Sequence, residues 1–122
     1  MALILFVDDE ELTLKLLKQA ATILGHNAIT STNTEEAFAL ASSELPDLIL
    51  TDVNLDGERS FDMIKRLKNQ EKTNHIPILT LSALALEEIE PIAKKIGADA
   101  SLSKPIRLQI LLEVIREYTQ HD

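Results

Sequence analysis

The sequence contains no cysteine and few aromatic residues among its 122 positions. Without cysteine, a disulfide framework, a thiolate metal site and a thiol nucleophile are all excluded. With aromatics at 3% and hydrophobic residues at 45%, the core must be built from Leu, Ile, Val and Ala. Long apolar runs are missing too. The stretch at residues 1–7 is ended by Asp8, Asp9, Glu10 and Glu11, too early for a signal or membrane segment. A soluble cytoplasmic protein is the expectation. Basic residues are the minority, 12 against 20 acidic, giving a formal charge of -8. Phosphate-bearing partners such as nucleic acid or an anionic membrane would be repelled. No repeat, linker or low-complexity tract interrupts the chain, and its length suits one domain over residues 1–122.

What is present is organised around residues 47–54, where a short apolar run follows Pro46 and ends in Asp52. A run this brief reads as a buried strand of a parallel sheet. Leu3–Val7 and Asn27–Ser31 are further strand candidates, as are residues 76–81 and 98–103. Helical patterns alternate with them. Leu12, Leu16, Ala20 and Ile23 suggest a buried stripe on a first helix, capped by Asp8 or Asp9 and stopped by Gly25. Asn33 or Thr34 caps a second helix, whose apolar side is Ala37, Phe38, Leu40 and Ala41. Residues 56–60 read as a loop, after which Phe61, Ile64 and Leu67 mark a third helix to about Asn69. Ile89, Ile92, Ala93 and Ile96 mark a fourth, which Pro91 should shorten or kink, leaving a long loop before it. Leu108, Leu111, Leu112, Ile115 and Tyr118 line the last, and Ile110 and Val114 lie off its main stripe. His26, His75 and His121 are dispersed and read as surface or loop residues.

Strands alternating with helices imply a parallel sheet with helices on both faces, in which every strand's carboxyl end falls on one rim. Asp8, Asp9, Asp52, Ser82 and Lys104 should therefore converge there. Three carboxylates held close cannot all ionise comfortably unless a cation lies among them. An oxygen-rich, open donor set of this kind suits Mg²⁺. A carboxylate in such a place can accept a phosphoryl group, with a lysine and a hydroxyl to neutralise its oxygens.

The acid pair Asp8-Asp9 after strand one, Asp52 after strand three, Ser82-Ala83 after strand four and Lys104-Pro105 after strand five occur in that order. With Gly97-Ala98-Asp99 before strand five, they make the chain resemble a response-regulator receiver domain of the chemotaxis-regulator type from end to end. The resemblance implies a flavodoxin-like three-layer α/β sandwich, with a five-stranded parallel sheet of order 2-1-3-4-5 and five helices. It implies a phosphorylatable switch rather than an enzyme, with Asp52 accepting a phosphoryl group from a phosphohistidine on a sensor histidine kinase or phosphotransfer protein. Mg²⁺ would be held by Asp8, Asp9, Asp52 and the backbone carbonyl of Asn54. Lys104 would contact the phosphoryl oxygens, Ser82 would hydrogen-bond one of them, and the Lys104-Pro105 bond would be cis. Output would pass to a separate protein, with no output domain in the chain. The fourth helix, fifth strand and fifth helix form the expected surface for that protein or for a homodimer. Leu84 and Leu86 are further docking candidates.

Three positions depart from the family pattern. Asp56 stands where a proline is usual, Ser60 where a glycine is usual, and Ser101 where an aromatic residue is usual. Different turn geometry after Asp52, with Gly57 in the flexible role, is expected. Serine has no ring to bury, so the usual route from phosphate to strand five is altered. These departures favour a degenerate receiver acting as a constitutive interaction module, whereas the complete acid, hydroxyl and lysine set favours the switch. An aspartyl-phosphate phosphatase of the haloacid-dehalogenase type would want a second acid where Asn54 stands.

Overall fold

A computed structural model describes residues 2–55 and 58–119, with only the backbone of Glu58. Five strands, β1 (Leu3–Val7), β2 (Asn27–Ser31), β3 (Leu48–Asp52), β4 (Ile78–Ser82) and β5 (Ala100–Ser103), form one sheet. Its order is β2-β1-β3-β4-β5 and every pairing is parallel. The helices between and after them are α1 (Glu11–Ile23), α2 (Thr34–Glu44), α3 (Phe61–Lys68), α4 (Leu86–Ile96) and α5 (Leu108–Thr119). The expected three-layer architecture and strand order are therefore observed.

Successive residues of a strand point to opposite faces, and the core divides accordingly. Ile4, Phe6, Leu48, Leu50, Leu79 and Leu81 pack against Leu14, Leu17, Ala20 and Ala21 of α1 and Leu111 and Ile115 of α5. Leu5, Val7, Ile49 and Ile78 pack against Ala37 and Ala41 of α2 and Met63, Ile64 and Leu67 of α3. A smaller cluster of Val53, Ile89, Ala93 and Ala98 seats α4. The middle strands β3 and β4 are buried throughout, as two-sided cover requires.

The buried stripe of α1 is not the one the spacing suggested. Leu14, Leu17, Ala20 and Ala21 face the sheet, whereas Leu12 is 82% exposed and Leu16 and Ile23 also face solvent. Two apolar stripes overlap on this helix, sharing Ala20. Ala20 and Ala21 are both fully buried against the sheet, small side chains that let the helix pack on the second stripe. Its N-cap is Glu10 without a side-chain cap bond, so neither Asp8 nor Asp9 occupies that position. Asn33 caps α2 as expected, its Oδ1 accepting from Glu36 N at 2.8 Å.

The fourth helix also departs from expectation. It begins at Leu86 after a short loop at residues 83–85 and runs through Pro91 to Ile96. An interior proline costs about 3 kcal/mol relative to alanine and frees the carbonyl four residues back. Here Pro91 and Glu87 both lie on the exposed face, so the freed carbonyl is not buried, while Ile89 and Ala93 are buried on the other. Gly97 closes the helix at φ 110°. Strand β5 starts at Ala100 rather than Ala98, because the Ala98 amide still closes α4 by donating to Ala93 O at 2.9 Å; next to it Asp99 Oδ2 accepts from Ile78 N at 2.8 Å. After β3, Asn54–Leu55 pairs antiparallel with Glu58–Arg59, so part of the expected loop is a short ladder. Asp56 and Gly57, the basis of the turn-geometry expectation, lie outside the described residues, as does His121.

Candidate functional site

Strands β1 and β3 are neighbours, with Val7 opposite Thr51, so the residues that follow each of them share one end of the sheet. Oxygens of Asp8, Asp9 and Asp52 lie within 4.8 Å of one another. Lys104, following β5, reaches across: its Nζ donates to Asp8 Oδ2 at 2.7 Å and to Asp52 Oδ2 at 2.9 Å. The Lys104-Pro105 peptide bond is cis. Four residues from distant parts of the chain thus meet at one rim.

Each side chain is fixed by local structure. Asp8 is fully buried; its amide donates to Ser31 O, and its Oδ1 accepts from Glu10 N at 2.9 Å. One oxygen of Asp8 therefore holds the turn into α1 while the other faces Lys104. Asp52 is 7% exposed and closes β3, with its Oδ1 accepting from Asn54 N at 3.4 Å. Asp9 is exposed at the mouth.

Burial pushes the Asp52 carboxyl above its ordinary value of 3.8, and nearby Asp8 adds to this, although Lys104 works in the opposite direction. For Lys104, burial disfavours the ammonium, but hydrogen bonds and charge from Asp8 and Asp52 outweigh it, and its pKa rises above 10.5. The pocket is a crowded set of acids with one internal cation to offset them. Its donors are all oxygen, the chemistry of a hard divalent ion, and the carboxylates are near enough to share one. They fit Mg²⁺.

Ser82 terminates β4 beside Asp52 and is 2% exposed, its Oγ accepting from Leu84 N at 3.0 Å. Among the described residues it makes no hydrogen bond to the acids. Ser101 pairs with Thr80 across β4 and β5, the Thr80 hydroxyl donating to Ser101 Oγ at 2.8 Å. Two small hydroxyls thus satisfy each other where an aromatic ring is usual. Ser60 is fully buried at the start of α3, and its Oγ has no partner among the described residues. Sequence reasoning missed the role of Leu84 N and the Thr80–Ser101 pair. The first is a local turn contact two residues along the chain, and the second depends on strand register, which residue spacing does not encode.

A rim of three acids and a bridging lysine on this sheet defines the receiver class, and the family comparison agrees. The model of the response regulator receiver domain matches residues 4–116, and the chain belongs to that family. Among curated proteins it is 33% identical over 115 residues to the polar-differentiation response regulator DivK of Brucella anthropi, covering 94% of each chain. Among solved structures it superposes on the chemotaxis response regulator CheY4 of Vibrio cholerae with a TM-score of 0.90 and 28% identity, covering 97% of this chain and 98% of that one. A response regulator from Thermotoga maritima matches at 0.83 and 31%, with 95% of each chain covered. Members of this family are two-component signalling switches rather than classical enzymes. They bind Mg²⁺ at the acidic cluster and interact with histidine kinases and downstream effectors. Among the described residues no helix is long and apolar enough to cross a membrane.

Proposed function

We propose that Asp52 is the phosphoacceptor of a two-component phosphorelay, taking its phosphoryl group from a phosphohistidine on a sensor kinase or phosphotransfer protein. The observation that carries this reading is the Lys104 ammonium set between Asp8 and Asp52 at hydrogen-bond distance from both. Both Asp8 and Asp52 face that ammonium, but of the three acids only Asp52 ends a fully buried strand. Asp8 is itself wholly buried with its other oxygen held by Glu10 N, which supports Asp52 as the nucleophile. An Asp52 oxygen forms the new bond to phosphorus, the phosphorus–nitrogen bond breaks, and the donor imidazole keeps that electron pair and takes a proton. The product is an acyl phosphate on Asp52. Lys104 offsets charge on the equatorial oxygens, and the Ser82 hydroxyl donates to one of them while Leu84 N remains its own donor.

Asp8, Asp9, Asp52 and the carbonyl of Asn54 would hold Mg²⁺, which when bound supplies a Lewis acid that neutralises the transferring phosphoryl group. Beside Lys104 opens an apolar groove lined by Leu16, Ala83, Pro105 and Ile106, a surface for a phosphodonor to seat on. Exposed Ile92, Leu108 and Ile110 support the expected effector or homodimer surface on α4, β5 and α5. The signal passes to a separate protein in the cytoplasm.

Incubation with acetyl phosphate and Mg²⁺ followed by intact-mass spectrometry tests the reading. A gain of about 80 Da, absent in Asp52→Asn, is the expected result. No adduct in the unmodified sequence would favour the constitutive interaction module instead, a reading to which the Thr80–Ser101 pair lends its weight.

A further inference from the structure

A second concavity, of about 430 Å³, lies apart from the acidic pocket, between the start of α2 and the start of α3. Thr34, Arg59, Phe61, Asp62, Met63 and Arg66 line it. Its composition is unusual for this chain. Of the four arginines in the sequence two are here, in a protein whose formal charge is -8. Each guanidinium lies over a phenylalanine: Arg66 is 3.9 Å from the centroid of the Phe38 ring, and Arg59 is 5.8 Å from that of Phe61. Neither guanidinium makes a hydrogen bond or ion pair among the described residues.

A guanidinium held over a ring, as Arg66 is at 3.9 Å, loses rotamer freedom before any ligand arrives, and its N–H donors stay available to one. The guanidinium fork matches carboxylate and phosphate oxygens in pairs. Phe61 and Met63 give the same cavity an apolar wall. Asp62 limits how much negative charge the site tolerates, which disfavours a bare, strongly charged ion. The volume falls in the range of roughly 300–1,000 Å³ of small-molecule sites.

We propose that this notch binds a small organic anion, a carboxylate or phosphate monoester carried on a flat ring. The anionic group meets the forks of Arg59 and Arg66, and the ring lies against Phe61 and Met63. If the arginines only cover the phenylalanines, their role is packing, and a lysine stem would do as well.

Titration of the full chain, without Mg²⁺, in ¹H–¹⁵N spectra separates these cases. The probes are phenyl phosphate, benzoate and 5′-AMP, with inorganic phosphate and adenosine as the anion without a ring and the ring without an anion. At least one ring-bearing anion is expected to shift the Phe61 and Met63 amides and the Arg66 Nε signal saturably, about tenfold more tightly than inorganic phosphate or adenosine. Arg66→Gln and Arg66→Lys should each weaken that binding about tenfold or more, and Arg116→Gln on α5 should not change it. Equal or weaker binding of every ring-bearing anion relative to inorganic phosphate would overturn the proposal, as would full affinity in Arg66→Lys. Asp52→Asn should titrate like the unmodified chain, so failure here and failure of phosphoryl acceptance are told apart.

Discussion

At the scale of single residues, the acidic pocket stores unfavourable charge that its chemistry then uses. Asp52 holds its proton more firmly folded than unfolded, because burial raises its pKa above 3.8. Ionising it therefore costs stability as pH rises through that raised value, and the folded chain is relieved of the cost below it. Asp52→Asn is expected to raise metal-free stability at neutral pH by about 1 kcal/mol, read as a higher urea midpoint. Lys104 has the opposite sign. Its folded pKa lies above 10.5, so its contribution is full below that value and lost as pH climbs through the folded one. Removing it leaves Asp8 and Asp52 facing each other without a counter-charge. Lys104→Ala should lose about 3 kcal/mol at neutral pH, with millimolar Mg²⁺ restoring part of the loss; a variant as stable as the original without metal would contradict the bridge. The site was legible in the sequence because chemistry restricts it to a few residue types at strand ends. The partners of Asp8 were not, since one oxygen serves the backbone of Glu10 and the other a lysine far along the chain.

At the scale of elements, α1 shows how far a hydrophobic pattern can lead. Periodicity identified the helix but chose the wrong face, because leucines occupy both overlapping stripes. The structure gives the choice a measurable consequence. Leu17→Ala removes a fully buried side chain and should cost about 2–5 kcal/mol, whereas Leu12→Glu, on the exposed stripe, should change stability by less than about 0.5 kcal/mol in thermal unfolding. Helix α4 makes the complementary point. A proline lowers a helix's own propensity, yet burial of Ile89 and Ala93 on either side of Pro91 carries the helix through it. Tertiary packing decided what local propensity left open. Strand pairs were legible as elements but not in register, so the meeting of Thr80 with Ser101 had to be seen.

At the scale of the whole molecule, topology makes the two ends of the sheet different. Alternating strands and helices were enough to forecast the parallel sheet, because crossover connections leave few other arrangements. The same alternation sends every strand's last residue to one end, and there the acids and the lysine collect. At the other end carboxylates serve as fasteners. Asp47 Oδ2 accepts from Leu3 N at 2.8 Å, and Asp99 Oδ2 accepts from Ile78 N at 2.8 Å and from Lys68 Nζ at 3.3 Å. Asp99→Ala should lower stability by about 1–2 kcal/mol in denaturant melts while leaving acetyl-phosphate labelling of Asp52 intact. Loss of labelling in a folded Asp99→Ala chain would show the ends to be coupled.

That Asp47 and Asp99 tie down the strand starts has an implication for how such a chain can change over time. The strand starts are anchored at the pole opposite the reactive one, so residues around the Asp8–Lys104–Asp52 bridge can be exchanged without loosening those starts. Rate, lifetime and partner preference can then drift through the residues around Asp52 while the foundations stay put.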